Sequence, residues 1–377
     1  MERSGGSESM KYNRENVPQR AGKRKARNRW MLPYFMLACL LLTANMTLLL
    51  EVQSQIKSLN ASLNQVMNRM TLAEQEGSGV LSKANAGPGY LEVRDWIRAQ
   101  GSNQASAAQQ FVEPDYVSLC GLDYVEKPRK RTEKEVLDKL LELSMDNDAI
   151  GRICGGGYPY SSKMLEALAN NPEMALFVEM FPESEGKATG GLTAAEKAQK
   201  YPLFLQWDPR WGYVSYGDNS NVGLSGCGPT CLSMAMYYLL GDETLTPDKI
   251  AGYSMKNGYY MTGTGTAWAL LKDFPEMYGL SVAQPKVSEK GIKDVLDQGG
   301  VVICSMKPGD FTAAGHFVVI YGYDSEGFLV NDPNCVARSR ESWSYDVIGK
   351  QIKQMWTYQK GNSGQSYIAE NSTGLKR

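Results

Sequence analysis

The chain has 377 residues, a formal net charge of −1, 42% hydrophobic and 21% charged residues, a composition ordinary for a globular protein. Residues 1–29 hold nine Lys/Arg against Glu2, Glu8 and Glu15, so residues 30–377 sum to −7. An acidic remainder of that size argues against a nucleic-acid surface, and no nucleic-acid partner is expected.

In chain order, the basic arm 1–29 is followed by an uncharged run from Trp30 to Leu50. At about 1.5 Å per residue this run spans roughly 30 Å, and it predicts a transmembrane helix over 30–50. A cleaved signal peptide fits less well, because the basic region is long and no small-x-small site closes the apolar stretch. A lipoprotein reading at Cys39 is weaker, with Leu37 where a small residue is preferred. The excess of Lys/Arg before the run predicts a cytoplasmic N-terminus, a single-pass anchor in the cell membrane and an extracytoplasmic remainder. Leu49, Val52, Ile56, Leu59, Leu63, Val66 and Met70 recur at steps of three and four. That spacing predicts a helical stalk or short coiled coil over 51–76, able to self-associate or to lie on another surface.

Residues 77–131 read as a linker region, with Gly/Ser-rich and Ser/Ala/Gln/Asn-rich stretches. A helical block is expected over 132–199. Thr132-Glu133-Lys134-Glu135 is a capping box before Val136, Leu137, Leu140 and Leu141. Asn171-Pro172-Glu173 starts a further helix whose apolar stripe is Met174, Phe177, Val178 and Phe181. From 200 to 360 the pattern is mixed. Helices are predicted over 227–240, 247–256, 265–278 and 289–297, and strands over 301–306, 316–323, 327–331 and 354–358. Helices first and an antiparallel sheet later define an α+β arrangement. The tail 361–377 is polar.

Chemistry concentrates in that mixed region. Cys227 stands in Ser225-Gly226-Cys227-Gly228-Pro229-Thr230-Cys231, and Pro229 belongs in a first helical turn. Cys227 therefore opens a helix, where unpaired N–H groups and the helix dipole favour a thiolate. Gly226 and Gly228 are expected to leave room for a substrate backbone. Cys231, one turn on, reads as a buried structural cysteine. His316, the one histidine, starts an apolar strand-like run, Gly315-His316-Phe317-Val318-Val319. It is placed to take the thiol proton and return it to a leaving group. Asp332, in Asn331-Asp332-Pro333, is the candidate to orient the imidazole, with Asn331 as the other choice and a simple turn role as the plainer reading. Gln206, in Leu205-Gln206-Trp207-Asp208-Pro209, is a candidate oxyanion donor beside the backbone N–H of Cys227; alone it would read as a surface amide.

Metal binding is not expected, given one histidine, no C-x-x-C pair and no paired carboxylate box. No cofactor is expected either. The loop Gly258–Trp268 lacks the Lys of a phosphate loop and reads as a turn before a helix. Seven cysteines form no disulfide framework; Cys304 and Cys335 could come close to one another, but no bond between them is predicted.

Taken together, Gln206 in Leu-Gln-Trp-Asp-Pro-Arg-Trp-Gly, Cys227 in Gly-Cys-Gly-Pro-Thr, His316 in Gly-His-Phe-Val-Val and Asp332 in Asn-Asp-Pro carry a resemblance. They resemble the papain-like cysteine peptidases akin to bacteriocin-leader processing peptidases, and more closely the stand-alone C-39-like group of Gram-positive bacteria. The resemblance covers roughly residues 200–358, and the block 132–182 is similar to the segment that often precedes the domain in that group. It implies a papain-like fold, with Cys227 as nucleophile, His316 as base, Asp332 as orienter and Gln206 as oxyanion donor. No transporter is fused here, so cleavage of double-glycine leaders does not come with it. The expectation is a membrane-anchored extracytoplasmic cysteine peptidase acting on a peptide or protein. The rivals are a thiol acyltransferase or amidase acting on cell-wall peptides, and an inactive peptide-binding module.

Overall fold

The computed structural model describes Val117 and residues 121–361. By contact the chain falls into two units, Met1–Leu72 and Ala73–Arg377, and every described residue belongs to the second.

The described chain begins with a helical block: α1 (Glu133–Leu143), α2 (Asp148–Gly155), α3 (Ser162–Asn170) and α4 (Ala175–Met180). The capping box forms as its residues predict, with Thr132 accepting from the Glu135 N–H and Glu135 accepting from the Thr132 N–H. Asn147 and Ser161 cap the next two helices, and Pro172 opens a 3₁₀ turn leading into α4. Met174, Phe177 and Val178 are buried, and Phe177 stacks on Tyr213 at 4.7 Å between centroids, which locks the block onto the chain behind it.

Short helices α5 (Ala194–Lys197) and α6 (Val222–Ser225) precede α7 (Cys227–Leu240) and α8 (Pro247–Lys256). A small hairpin, β1 (Tyr260–Met261) and β2 (Gly265–Thr266), leads to α9 (Leu270–Met277). There follow β3 (Leu280–Ala283), α10 (Glu289–Asp297), β4 (Val301–Met306), β5 (His316–Tyr323), β6 (Phe328–Asn331), α11 (Val336–Ser339), β7 (Ser342–Trp343), α12 (Tyr345–Gln351) and β8 (Ile352–Lys360). The predicted helix over 265–278 starts five residues late. Gly263 and Gly265 take positive φ (73° and 97°) and turn the chain through the hairpin first.

Six strands make one antiparallel sheet in the order β3-β8-β4-β5-β6-β7. Both faces of its centre are covered, so β4 is buried at every residue. Alternation sorts the side chains. Val301, Ile303, Phe317, Val319, Trp356 and Tyr358 join the core beneath α7. Val302, Cys304, Met306, Val318, Ile320 and Met355 join a second core that includes Ile292 of α10 and Ile348 of α12. The five described cysteines, Cys154, Cys227, Cys231, Cys304 and Cys335, are all unbonded. Cys39 and Cys120 lie outside the described residues.

The α+β arrangement of helices with an antiparallel sheet is therefore observed, but the membrane topology drawn from the sequence is corrected. Among the described residues no helix is long and apolar enough to cross a membrane. Even the apolar α7 runs only 14 residues, about 21 Å, before Gly241 (φ 70°) ends it in a left-handed cap. The predicted span 30–50 and stalk 51–76 lie outside the described residues. The single-pass anchor, the membrane contact through 30–50 and the extracytoplasmic placement accordingly form no part of the fold described.

Candidate functional site

Cys227 is the first residue of α7, with Gly226 at the cap position. N–H groups in a first helical turn have no intrahelical acceptor and point out of the helix end. The half-buried thiol lies on a cleft of about 790 Å³ that His316, the first residue of β5, also lines. The flanking glycines are tightly packed. A Cβ on Gly228 would come within 2.7 Å of Thr266 Oγ1, and one on Gly226 within 2.6 Å of a Val222 methyl.

His316 is buried, and its Nε2 lies 2.6 Å from Asp332 Oδ1. This leaves the other ring nitrogen on the side of the cleft that Cys227 also lines, near enough for the thiol to favour the imidazolium. Burial works against the imidazolium, but the Asp332 carboxylate, its hydrogen bond and the Cys227 contact outweigh it and raise the His316 pKa to about 9. Asp332 is fully buried, which by itself would raise its pKa. The charges of His316 and Arg338 overcome that burial and hold the carboxyl below its usual value. The Asn334 N–H donates to Oδ1 at 2.8 Å, and Arg338 Nε donates to Oδ2 at 2.8 Å. Asn331, the other candidate orienter, is turned away. Its amide donates to Tyr238 Oη and to the carbonyls of Tyr201 and Pro202.

Gln206 lines a second hollow together with Cys227 and His316. Its backbone N–H donates to the Pro333 carbonyl at 2.7 Å, which couples this segment to the turn carrying Asp332. Its Nε2 donates to the Gly223 carbonyl at 2.7 Å, and its buried Oε1 has no partner. One of the two amide N–H bonds is thus engaged locally. Behind Gln206 the loop is held by buried Trp207 and Trp211 and by a buried cluster in which Arg210 donates to both Asp208 and Glu196. Residues spread over 126 positions, from Gln206 to Asp332, thus come together: Cys227 and His316 line both hollows, Gln206 lines the second, and Asp332 lies behind His316.

Two residues near the site escaped the sequence reading. Arg338 comes from α11, whose first N–H groups, Val336 and Ala337, donate to buried Glu173 of the helical block. Lys163 comes from α3 and donates to Ser220 and Ser225, the latter two residues before Cys227. No local motif announces either one. Among the described residues there is no cluster of His, Cys, Asp and Glu suited to a metal.

Residues 198–364 match the family model described as Peptidase_C39 like family, which relates this domain to the C39-like peptidases. The helical block with Lys163 and Glu173 lies before the matched segment. Solved structures similar to the chain include two of low identity. The peptidase domain of Streptococcus ComA, a bifunctional ABC transporter involved in a quorum-sensing pathway, is 16% identical, with a TM-score of 0.31, and the match covers 42% of this chain and 98% of that one. A C39-like peptidase from Bacillus anthracis is 18% identical, with a TM-score of 0.30, and the match covers 42% of this chain and 94% of that one. No curated protein matches the chain.

Proposed function

We propose that the domain is a cysteine peptidase of the C39-like type, acting on a peptide or protein substrate. The observation that carries this reading is the buried His316, held at Nε2 by Asp332 and facing the Cys227 thiol at a helix N-terminus. With a pKa of about 9 the imidazole keeps its proton at neutral pH, and an imidazolium beside a cysteine favours the thiolate. Cys227 Sγ attacks the scissile carbonyl carbon, and the C=O π electrons move to oxygen. The Cys227 N–H and the second Gln206 amide N–H are the donors for that oxyanion. Collapse re-forms the carbonyl and expels the amine, which takes its proton from His316. The thioester that remains is attacked by water, whose proton passes to the now neutral His316, and the thiolate leaves. Asp332 fixes the ring through both steps, and Arg338 keeps Asp332 ionised and in place.

The test is to incubate the full chain with a peptide bearing a thiol-directed electrophile and to map the adduct by mass spectrometry. Modification confined to Cys227, and abolished in His316→Ala, is expected. Equal labelling of the described cysteines in folded protein, indifferent to His316, removes the hydrolase reading.

A further inference from the structure

The cleft has a charge character that the acidic balance of residues 30–377 would not suggest. Among the described residues that line it are three lysines, Lys163, Lys307 and Lys353, and no Asp or Glu. None of the three is paired with a carboxylate among the described residues, whereas Lys134, Lys139, Lys290 and Lys293 elsewhere each hold one. Their positions bracket the reacting groups. Met306 of β4 pairs with His316 of β5 on one side and with Ile352 of β8 on the other. Lys307 continues β4 beyond that pair, its N–H donating to the Gln351 carbonyl at 2.7 Å, and Lys353 follows Ile352 in β8; both line the cleft at the sheet end that presents His316. Lys353 lies over the Trp268 ring at 5.3 Å, which restricts the ammonium group to the cleft rim. Lys163 stands on the opposite, helical side, held by the hydroxyls of Ser220 and Ser225 at 2.9 and 2.7 Å, close enough to feel the charge of Cys227. An extended chain lying in the cleft beside Cys227 would therefore meet cations from both walls.

We infer that the cleft selects peptides carrying acidic side chains close to the bond presented to Cys227, with Lys163 from the helical block and Lys307 and Lys353 from the sheet side as the selecting charges. This rests on the reading of the cleft as the peptide-binding site of a thiol hydrolase. A specificity set by the helical block also gives that block a role in the site, since it lies outside the family-matched segment.

The experiment uses three decapeptide libraries of uncharged residues, with Glu, Gln or Lys fixed at two positions flanking the centre. Binding is measured with full-length Cys227→Ala protein, and cleavage with the unaltered chain by mass spectrometry. Each exposed charge pair contributes modestly, so three together are expected to give about a tenfold preference for the Glu over the Lys library at low salt. The preference is expected to collapse at 1 M salt, where the Debye length falls to about 3 Å. In Lys307→Glu/Lys353→Glu the Glu-to-Lys ratio is expected to invert, and in Lys307→Met/Lys353→Met to approach one. The ratio is internal to each preparation, so partial unfolding of a variant does not mimic the result. A flat ratio in the parent protein, or one that persists through charge reversal, overturns the inference. Selective binding of the Glu library with neither cleavage nor trapping of Cys227 overturns the hydrolase reading and leaves the charge selection standing. Cleavage without charge preference does the reverse.

Discussion

A single histidine makes the electrostatics of this site directly measurable. Its folded pKa of about 9, against 6.5 when free, means that the folded protein binds this proton more tightly than the unfolded chain does. Below pH 6.5 both states carry the proton and the stabilisation is fully present. Between 6.5 and about 9 the unfolded chain has lost the proton while the folded protein keeps it, so stability falls as pH rises. Above about 9 the contribution is gone. The gap corresponds to about 3 kcal/mol. The assay is NMR titration of the imidazole Hε1, which needs no assignment because no other histidine contributes, alongside urea unfolding of the parent chain and His316→Gln from pH 6 to 10. The expected results are a midpoint near 9 and a stability difference that shrinks over that window. Cys227→Ser, which removes one of the groups holding the proton, should lower the midpoint. An Hε1 midpoint at or below 6.5 would refute the argument that Asp332 and Cys227 outweigh burial.

Further outcomes follow from the same geometry. Near neutral pH, iodoacetamide should label Cys227 well before Cys231, Cys304 or Cys335, because those three are fully buried and burial raises their pKa values; peptide mapping over time checks the order, and His316→Ala should slow the first label. Gln206→Ala should lower turnover by about a hundredfold while leaving substrate binding close to its original strength, since the oxyanion exists only in the transition state; folded variant with full turnover would remove Gln206 from the site. Arg338→Met removes one of the two cations that hold the buried Asp332 carboxylate, leaving His316, and should cost about 1.5–3 kcal/mol in urea unfolding, with part of that recovered in Arg338→Met/Asp332→Asn. If Arg338→Met is as stable as the parent, Arg338 is not what holds Asp332.

What the sequence made legible were features written in adjacent residues. The limits of α7 and α8 follow from Pro229 and Pro247 in their first turns and from Gly241 after the last apolar turn, and the structure places both helices over the predicted residues. Strands β4 and β5 are apolar runs long enough to cross a doubly covered sheet, and they too fall where expected. The candidate site was visible as four side chains of suitable chemistry, because a cysteine before a Gly-Pro turn and a histidine opening a strand are local patterns. The short elements were not visible: β7 has two residues and α11 four, too few for any periodicity to register. The membrane reading rested on one uncharged run and has no counterpart among the helices described.

The residues that tune the site were illegible for a different reason: their roles depend on burial and partners supplied from elsewhere in the chain. Arg338 reads as a surface arginine until Asp332 and the surrounding core enclose it. Glu173 reads as a first-turn acid, yet it accepts from Leu122, Val336 and Ala337 across the fold. Burial raises its pKa, and those three donors work against that rise. The Glu173 contacts orient the helix that bears Arg338, Arg338 fixes Asp332, and Asp332 fixes the ring of His316. The helical block is thereby joined to the imidazole through α11, by buried hydrogen bonds on either side of that helix, and to the Cys227 side of the cleft by Lys163. Removing the block would expose Glu173's partners and loosen that connection even though all four candidate residues lie outside the block. A segment beginning at residue 198 should therefore hold the His316 proton less tightly than the full chain, visible as a lower Hε1 midpoint. An unchanged midpoint in a folded fragment would show that the sheet and α7 alone are enough to set the site.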